Sequence, residues 1–167
     1  MAIPVAVPGN PVLSSDANEF YVPHAAYKTV QEDVTSSTAM QNDNDLVVAV
    51  AANAAYWFSC VLFYKGGTNT SSDFKWQWTA PAGATLRYAA DYLAVSTTAQ
   101  IGVQLLGTDV KSACTTGVGN VFSVRMTGSL IMSSTAGSLQ LQWAQNTSNA
   151  TATTVGPGSV LALQRIF

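Results

Sequence analysis

The groups best suited to chemistry in this 167-residue chain are one histidine and two cysteines. His24 is far in sequence from both Cys60 and Cys114. A catalytic triad, a Cys/His dyad or a zinc site needs such groups close together, at defined spacing. Two cysteines are also too few for a disulfide framework. We therefore expect no catalytic role for His24, and we expect both cysteines to be buried free thiols.

Acidic residues offer a second possible site. Residues 42–45 (NDND) place oxygen ligands at alternate positions, as calcium requires, but a calcium loop would have glycine and glutamate where Val47 and Asn53 stand. We expect a polar turn before a strand instead. Glu32 and Asp33 are adjacent, so on a strand they point to opposite faces and are poorly placed to act as paired carboxylates. The sequence therefore predicts no metal site, no cofactor and no enzyme activity.

Tryptophans suggest a third possibility, a platform on which sugar rings stack. Three aromatic residues alternate with polar ones within residues 73–79, and Trp143 lies in a second alternating segment, residues 137–145. Alternating tryptophans more often fill a β core or a subunit interface than bind sugars. We therefore assign six residues to the core or to a subunit interface: Trp76, Trp78, Leu141, Trp143, Leu163 and Phe167.

The elements that must position these side chains are β-strands. No segment keeps a helical period, whereas short alternating or β-branched runs recur between Gly-, Ser- and Thr-rich loops. Strands are predicted at residues 27–34, 46–51, 54–64, 73–79, 84–92, 100–105, 121–132, 137–145 and 159–167. We expect a polar turn at 35–45, a hairpin between the second and third strands, a bulge or close backbone approach at Gly128, and a central last strand covered on both sides.

The first 26 residues differ from the rest of the chain. Four prolines remove backbone donors and prevent a helix, and the apolar residues are too few to form a core. We expect an extended N-terminal arm (1–26) that lies against another surface, followed by a β domain (27–167). The candidate contact residues of this arm are Ile3, Val5, Val7, Val12, Leu13, Phe20 and Tyr21.

Charge is scarce and unevenly distributed. Charged residues make up 10% of the chain, against about 25% in an ordinary soluble domain. Residues 1–45 contain six acids and one base, whereas residues 46–167 contain three acids and six bases. Such a surface favours burial against copies of the same chain or another partner. No basic run predicts nucleic-acid binding, and no apolar run is long enough to cross a membrane.

Several short motifs occur in an informative order. They are KTV (28–30), VTSST (34–38), DNDL (43–46), VAAN (50–53) with Tyr56, DFK (73–75), PAGA (81–84), GSL (128–130), GSLQLQWAQ (137–145), TTV (153–155) and GS (158–159). In this order residues 27–167 resemble a family of domains from tailed-bacteriophage virion proteins. These domains occur as stand-alone head proteins and as terminal domains of minor tail proteins and fibres.

The resemblance implies a jelly-roll β-sandwich similar to the tumour-necrosis-factor and C1q type, which usually forms trimers. It carries over no catalytic residues. On this basis we expect a capsid decoration (cement) protein, in which a homotrimer sits over a local three-fold axis and the arm contacts the phage major capsid protein. The initial methionine and the short arm favour a head protein on the outer surface of the virion. Because no signal peptide is recognisable, we expect it to be made in the host cytoplasm.

Two other roles remain open at this point. A minor tail or fibre module would bind host glycans through loops such as 66–72 and 146–154. An assembly protein unrelated to phage would share the all-β fold and the self-association. The decoration protein is favoured among the three, because the resemblance points to a virion protein, and the initial methionine and the short arm favour the head over the tail.

Overall fold

The computed structural model describes residues 22–66, 72–93, 99–105, 111–114 and 119–167, and within these ranges every regular element is a β-strand. The all-β prediction is therefore confirmed. With no helix in the described ranges, there is also no helix there that could span a membrane. The strands are β1 (His24–Tyr27), β2 (Glu32–Val34), β3 (Gln41–Val50), β4 (Ala55–Lys65), β5 (Ser72–Thr79), β6 (Thr85–Leu93), β7 (Ala99–Leu105), β8 (Lys111–Cys114), β9 (Phe122–Ile131), β10 (Gly137–Ala144), β11 (Thr153–Val155) and β12 (Val160–Arg165).

Two antiparallel sheets make up the fold. The larger sheet has eight strands in the order β1-β12-β4-β9-β6-β7, with β11 pairing with β4 and also with β2. The smaller sheet has four strands in the order β3-β10-β5-β8. Strands that are neighbours in sequence thus often belong to different sheets. The chain must cross repeatedly from one layer to the other.

Aromatic side chains fill the space between the two sheets. Phe58 of β4 meets Trp78 of β5 edge-on at 5.2 Å, and Tyr64 of β4 stacks on Phe74 of β5 at 4.6 Å. Each such ring removes a large apolar area from water, which stabilises the fold by about 2 kcal/mol or more per ring. A single apolar core therefore holds the two sheets face to face as a β-sandwich.

β5 has the alternation that its sequence predicts. Phe74, Trp76 and Trp78 are buried, while Lys75 and Gln77 on the other face are partly exposed. The indole N–H groups of the two tryptophans have no hydrogen-bond partner among the described residues. Their rings instead make edge-to-face contacts, Trp76 with Tyr92 and Trp78 with Phe58.

The predicted hairpin between residues 46–51 and 54–64 is wrong. β3 pairs with β10, and β4 pairs with β9 and β12, so the two strands lie in opposite sheets. Both strands carry apolar residues on one face, and these faces meet across the core instead of side by side. Asn53 adopts a positive φ of 52° in the connection, and its N–H donates to the carbonyl of Ser133. The short 51–54 link therefore turns between layers.

The N-terminal part of the β domain also differs from the prediction. The expected strand 27–34 is interrupted after Tyr27, because Lys28 turns into the interior, and it resumes as β2. The expected turn 35–45 is shorter, since β3 already starts at Gln41. The predicted boundary between arm and domain, after residue 26, falls inside β1, which pairs with β12. Residues 1–21 of the arm lie outside the described residues.

Two further expectations concern β9 and β12. A Cβ at Gly128 would come within 2.6 Å of the Tyr88 Cα, so the expected close backbone approach is confirmed. β12 lies between β1 and β4, with Leu161 and Leu163 fully buried, but its other face is only half-buried in a single chain. The prediction that it is covered on both sides is therefore wrong for one chain alone. The short strands β8 and β11 were not predicted.

Candidate self-association surface

The outward face of the eight-stranded sheet divides into two parts of different chemistry. Strand alternation turns every second residue of β1, β12 and β4 away from the core, and the pairing registers place these residues side by side. We call nine of these residues the uncharged strip: Ala25, Tyr27, Val160, Ala162, Gln164, Trp57, Ser59, Val61 and Phe63. Ala55 and Lys65, at the two ends of β4 on the same face, lie outside the strip. All three strands are fully described, and none of these nine side chains is charged.

The uncharged strip has an uneven surface. Tyr27 and Trp57 are 60% and 48% exposed, which is unusual for aromatic side chains of this size. Between them lie small residues, in the row formed by Ala25, Ala162 and Ser59. This row of small residues is flanked by two exposed aromatic rings. Such a surface is well suited to contact another protein, since tyrosine and tryptophan are enriched at interfaces.

A second part of the same face carries charges. We call it the charged strip, which comprises eight outward residues of β9 and β6: Ser123, Arg125, Thr127, Ser129, Thr85, Arg87, Ala89 and Asp91. Arg125 lies directly opposite Asp91 in the β6–β9 register, and both are exposed. Between the two strips is a shallow depression of about 270 Å³, lined by residues that include Ser59, Ala89 and Thr127. The charged strip has the composition of a solvated sheet face.

Apolar side chains extend the uncharged strip at one end. Ile131 and Ile166 are about half exposed, and both lie beside Ala55, the first by strand pairing and the second through a backbone hydrogen bond. The strip is roughly 14 Å wide, the width of three neighbouring strands, and roughly 23 Å long, the length of seven residues along a strand. That is less than the roughly 800 Å² that each partner contributes to a standard interface. The strip can therefore form the centre of a contact, with these end residues at its rim.

A buried polar cluster lies at the edge of the sandwich. Lys28 is 1% exposed, and its Nζ lies 3.0 Å from Glu32 Oε2, 3.1 Å from Asp43 Oδ1 and 3.2 Å from Asp45 Oδ2. Burial lowers the pKa of Lys28, but hydrogen bonds to the three carboxylates more than offset this effect, and the pKa is raised overall. The expected polar turn at 42–45 is thus part of a strand that holds a buried lysine.

Asp43 is the best anchored carboxylate of that cluster. The backbone N–H groups of Asp45 and Leu46 donate to its Oδ1 at 3.0 and 2.9 Å, and the indole Nε1 of Trp143 donates to its Oδ2 at 3.1 Å. Glu32 and Asp33 point to opposite sides, as expected: Glu32 contacts Lys28, whereas Asp33 accepts a hydrogen bond from Thr154. Within the described ranges, no cluster of His, Cys, Asp and Glu is arranged to hold a metal ion.

The residues assigned to the core or to a subunit interface lie mainly inside one chain. Trp76, Trp78 and Trp143 are almost completely buried, together with Leu141 and Leu163. These rings cannot stack on a sugar that approaches from solvent. Phe167 is different, since it is 39% exposed at the C-terminal end of the sheet, next to the rim of the uncharged strip.

The remaining chemical candidates are dispersed. His24 lies on β1 and meets the ring of Tyr56 edge-on at 6.4 Å. Cys60 is buried and free, and burial, together with the charge of Asp43, raises the pKa of its thiol well above the usual value. The side chain of Cys114 and the seven candidate residues of the arm lie outside the described residues.

Sequence reasoning missed both the uncharged strip and the buried lysine. The signal for the strip was present in residues 54–64, where Trp57, Ser59, Val61 and Phe63 share one face of the predicted strand. The signal for Lys28 was its position as the single base among the six acids of residues 1–45. What was absent from the sequence was the strand order that places β1, β12 and β4 together.

No protein-family model matches the chain, and no curated protein matches it. Among solved structures, the chain is similar to the tripod protein from the baseplate of bacteriophage Tuc2009, with 12% identity and a TM-score of 0.36 over 96% of this chain and 72% of that chain. It is also similar to the VP2 protein of infectious bursal disease virus, with 8% identity and a TM-score of 0.26 over 87% of this chain and 39% of that one. Similarities this weak support no conclusion about function.

Proposed function

We propose that this protein is a structural component of a phage virion that associates with copies of itself through the uncharged strip. The observation that carries the self-association is the exposure of Tyr27 and Trp57 among nine neighbouring outward side chains of three adjacent strands, none of which is charged. The virion role rests on the resemblance of residues 27–167 to phage head and tail domains. A jelly-roll trimer is the assembly that this resemblance implies.

Within the virion, the proposed role is that of a capsid decoration protein on the outer surface of the head. The arm (1–26) reaches the phage major capsid protein, and the trimer joins neighbouring capsid subunits. Binding to the assembled shell in preference to separate subunits stabilises the shell by mass action. Three copies in one trimer strengthen a weak contact through effective concentration. This role needs no enzyme activity, cofactor, nucleic acid or membrane.

Deletion of residues 1–22 tests the role of the arm. The variant starts at Pro23 and keeps β1 and its pairing with β12. We expect it to remain a trimer in sedimentation and to lose binding to capsids that lack the native protein. A variant with residues 1–22 replaced by a Gly/Ser sequence of the same length controls for simple shortening. Capsid binding retained by both variants would contradict the proposed contact and place it on the β domain.

A glycan-binding tail or fibre module is the second candidate, favoured by one observation. The side chain of buried Gln145 donates to the carbonyls of Asn149 and Thr151, and it accepts from the N–H groups of Ser37 and Asn149. The loop that follows β10 is therefore held in a defined shape, as a binding loop requires. Binding of the intact protein to host-cell glycans on an array, abolished by Gln145→Ala in a folded variant, would favour this role over decoration.

A further inference from the structure

The most unusual chemical arrangement in the molecule is the contact between Lys28 and Asp43. Both side chains are buried, and the Lys28 Nζ lies 3.1 Å from Asp43 Oδ1. Lys28 directly follows β1 in the larger sheet, whereas Asp43 belongs to β3 in the smaller sheet. The pair therefore connects the two layers at the edge of the sandwich. An amine and a carboxyl group held together out of water are the two reactants of amide formation.

A third group is placed to move protons between them. Glu32 Oε2 lies 3.0 Å from the same Nζ, within reach to accept a proton from it. Three further donors, from the backbone of Asp45 and Leu46 and from the Trp143 indole, surround the Asp43 carboxylate. These donors fix the carboxyl carbon and lie where negative charge would develop on its oxygens during attack.

The geometry points to an intramolecular amide bond between Lys28 Nζ and Asp43 Cγ. In the first step Glu32 accepts one proton from the Lys28 ammonium group, which leaves a neutral amine. The nitrogen lone pair attacks Cγ, and the new C–N bond forms. A carboxyl oxygen then leaves as water, because it takes the proton held by Glu32 and a second proton from the nitrogen. The ion pair is converted into an amide and one water molecule, with no oxidant or other co-reactant.

Burial makes this reaction favourable where it would fail between free groups in water. Well-oriented groups within one molecule reach effective concentrations on the order of 10⁵ to 10⁸ M. Amide formation also removes two charges from the interior, where isolated ions are costly. The raised pKa of Lys28 opposes the loss of its proton, so the bond is expected to form slowly, after folding has brought the three groups together.

Asp43 is the reacting carboxylate, although Lys28 has three within reach. The side chain of Asp45 is 38% exposed, and an amide at that position would remain open to water. Glu32 also accepts hydrogen bonds on both oxygens, from Gln41 Nε2 and from the backbone N–H of Asn44, but its side chain is 13% exposed. Asp43 alone combines complete burial with donors on both oxygens. The bond would join the two sheets just after the C-terminal end of β1, and it does not depend on the function proposed above.

Mass spectrometry of the intact, folded full-length protein tests this inference directly. We expect the mass to be lower than the sequence mass by one water molecule, and we expect proteolysis to yield a peptide pair joined through Lys28 and Asp43. Lys28→Arg should have its full sequence mass, whereas the control Lys75→Arg should keep the deficit. Asp43→Asn should lose one ammonia instead of one water, and Glu32→Gln should show little or no bond.

The wild-type mass decides the outcome even if a variant fails to fold. A folded wild-type protein with its full sequence mass, unchanged after prolonged incubation at neutral pH, would overturn the inference. So would a loss of water that peptide mapping assigns to a different residue. Either result would show that Lys28 and Asp43 form an ion pair only.

Discussion

The two strips on the outer face of the eight-stranded sheet belong to one continuous surface, yet they differ in chemistry. The uncharged strip on β1, β12 and β4 exposes Tyr27 and Trp57 above small residues. The charged strip on β9 and β6 has the opposed pair Arg125 and Asp91, with Ser and Thr around it. Both strips share the same inner core, so folding does not require the difference.

The difference shows which part of the face is adapted to water. An antiparallel sheet with one solvated face normally alternates apolar and polar residues, as β9 and β6 do. β4 departs from this pattern, because Trp57, Val61 and Phe63 on its outer face are apolar as well. An exposed apolar area rimmed by polar residues is typical of an interaction site. We therefore expect substitutions in the two strips to have different consequences.

The largest effect is expected at Gly128 of β9, which faces the core beneath the boundary between the two strips. β9 pairs with β4 on one side and with β6 on the other, and a side chain at position 128 would collide with the Arg87 carbonyl and the backbone of Tyr88. The inner rings of Phe58 and Tyr88 also meet across this glycine at 5.7 Å. Gly128→Ala should lower the free energy of unfolding by about 3 kcal/mol or more, measured by urea denaturation.

A matched control for Gly128 is available at Gly119. Gly119 lies just before β9, and no atom lies within 4 Å of a Cβ built there. Its positive φ of 84° makes alanine strained, at a cost of about 1 kcal/mol. If Gly119→Ala and Gly128→Ala lowered the free energy of unfolding equally, the close packing of β9 against β6 would be contradicted.

The second largest effect is expected on self-association, when a negative charge is placed in one strip or the other. Ala162 and Thr127 both flank Ser59 in one row of the sheet, on its β12 and β9 sides. Ala162→Glu would bury an unpaired carboxylate in the proposed contact, and should weaken self-association by about 100-fold or more. Thr127→Glu adds the same charge to the charged strip and should leave the oligomer unchanged. Sedimentation velocity over a concentration series distinguishes the two, and equal effects would remove the distinction between the strips.

A smaller effect is expected when an exposed ring is removed. Trp57→Ala takes away the largest exposed side chain of the uncharged strip, and should cost about 2 kcal/mol of association free energy, or about 30-fold in the dissociation constant. Arg87→Ala removes a long exposed side chain from the charged strip and is the control. Thermal unfolding of both variants should remain close to that of wild type. If Arg87→Ala weakened association more than Trp57→Ala, the contact would have to be assigned to the charged strip.

The smallest effect is expected from the opposed charges. Arg125→Ala and Asp91→Ala each remove one of two opposite charges that face each other in register on an exposed face, an arrangement worth about 0.2 to 1 kcal/mol. A double-mutant cycle in unfolding free energy should give a coupling energy in that range, falling as salt is raised. Neither substitution should change the oligomeric state. A coupling well above this range would indicate that the pair is buried in an interface.

Much of the fold could be predicted from local patterns. The alternation in residues 73–79 gives both β5 and its buried face, and Gly128 indicates a close approach of strands. The sequence could not give the partners of each strand, since the pattern of residues 46–64 fits either a hairpin or two facing layers. Lys28 was also beyond prediction, because its burial depends on Asp43, which lies 15 positions later on the opposite sheet. Local patterns specify faces, whereas long-range pairing decides which faces meet.

Sedimentation equilibrium of the purified full-length protein at micromolar concentration tests the self-association most directly. The chain has a mass of 17.5 kDa, and we expect a single species of three chains that Ala162→Glu converts to monomers while circular dichroism still reports a folded β protein. A well-folded wild-type protein that sediments as one chain throughout the concentration range would contradict the account.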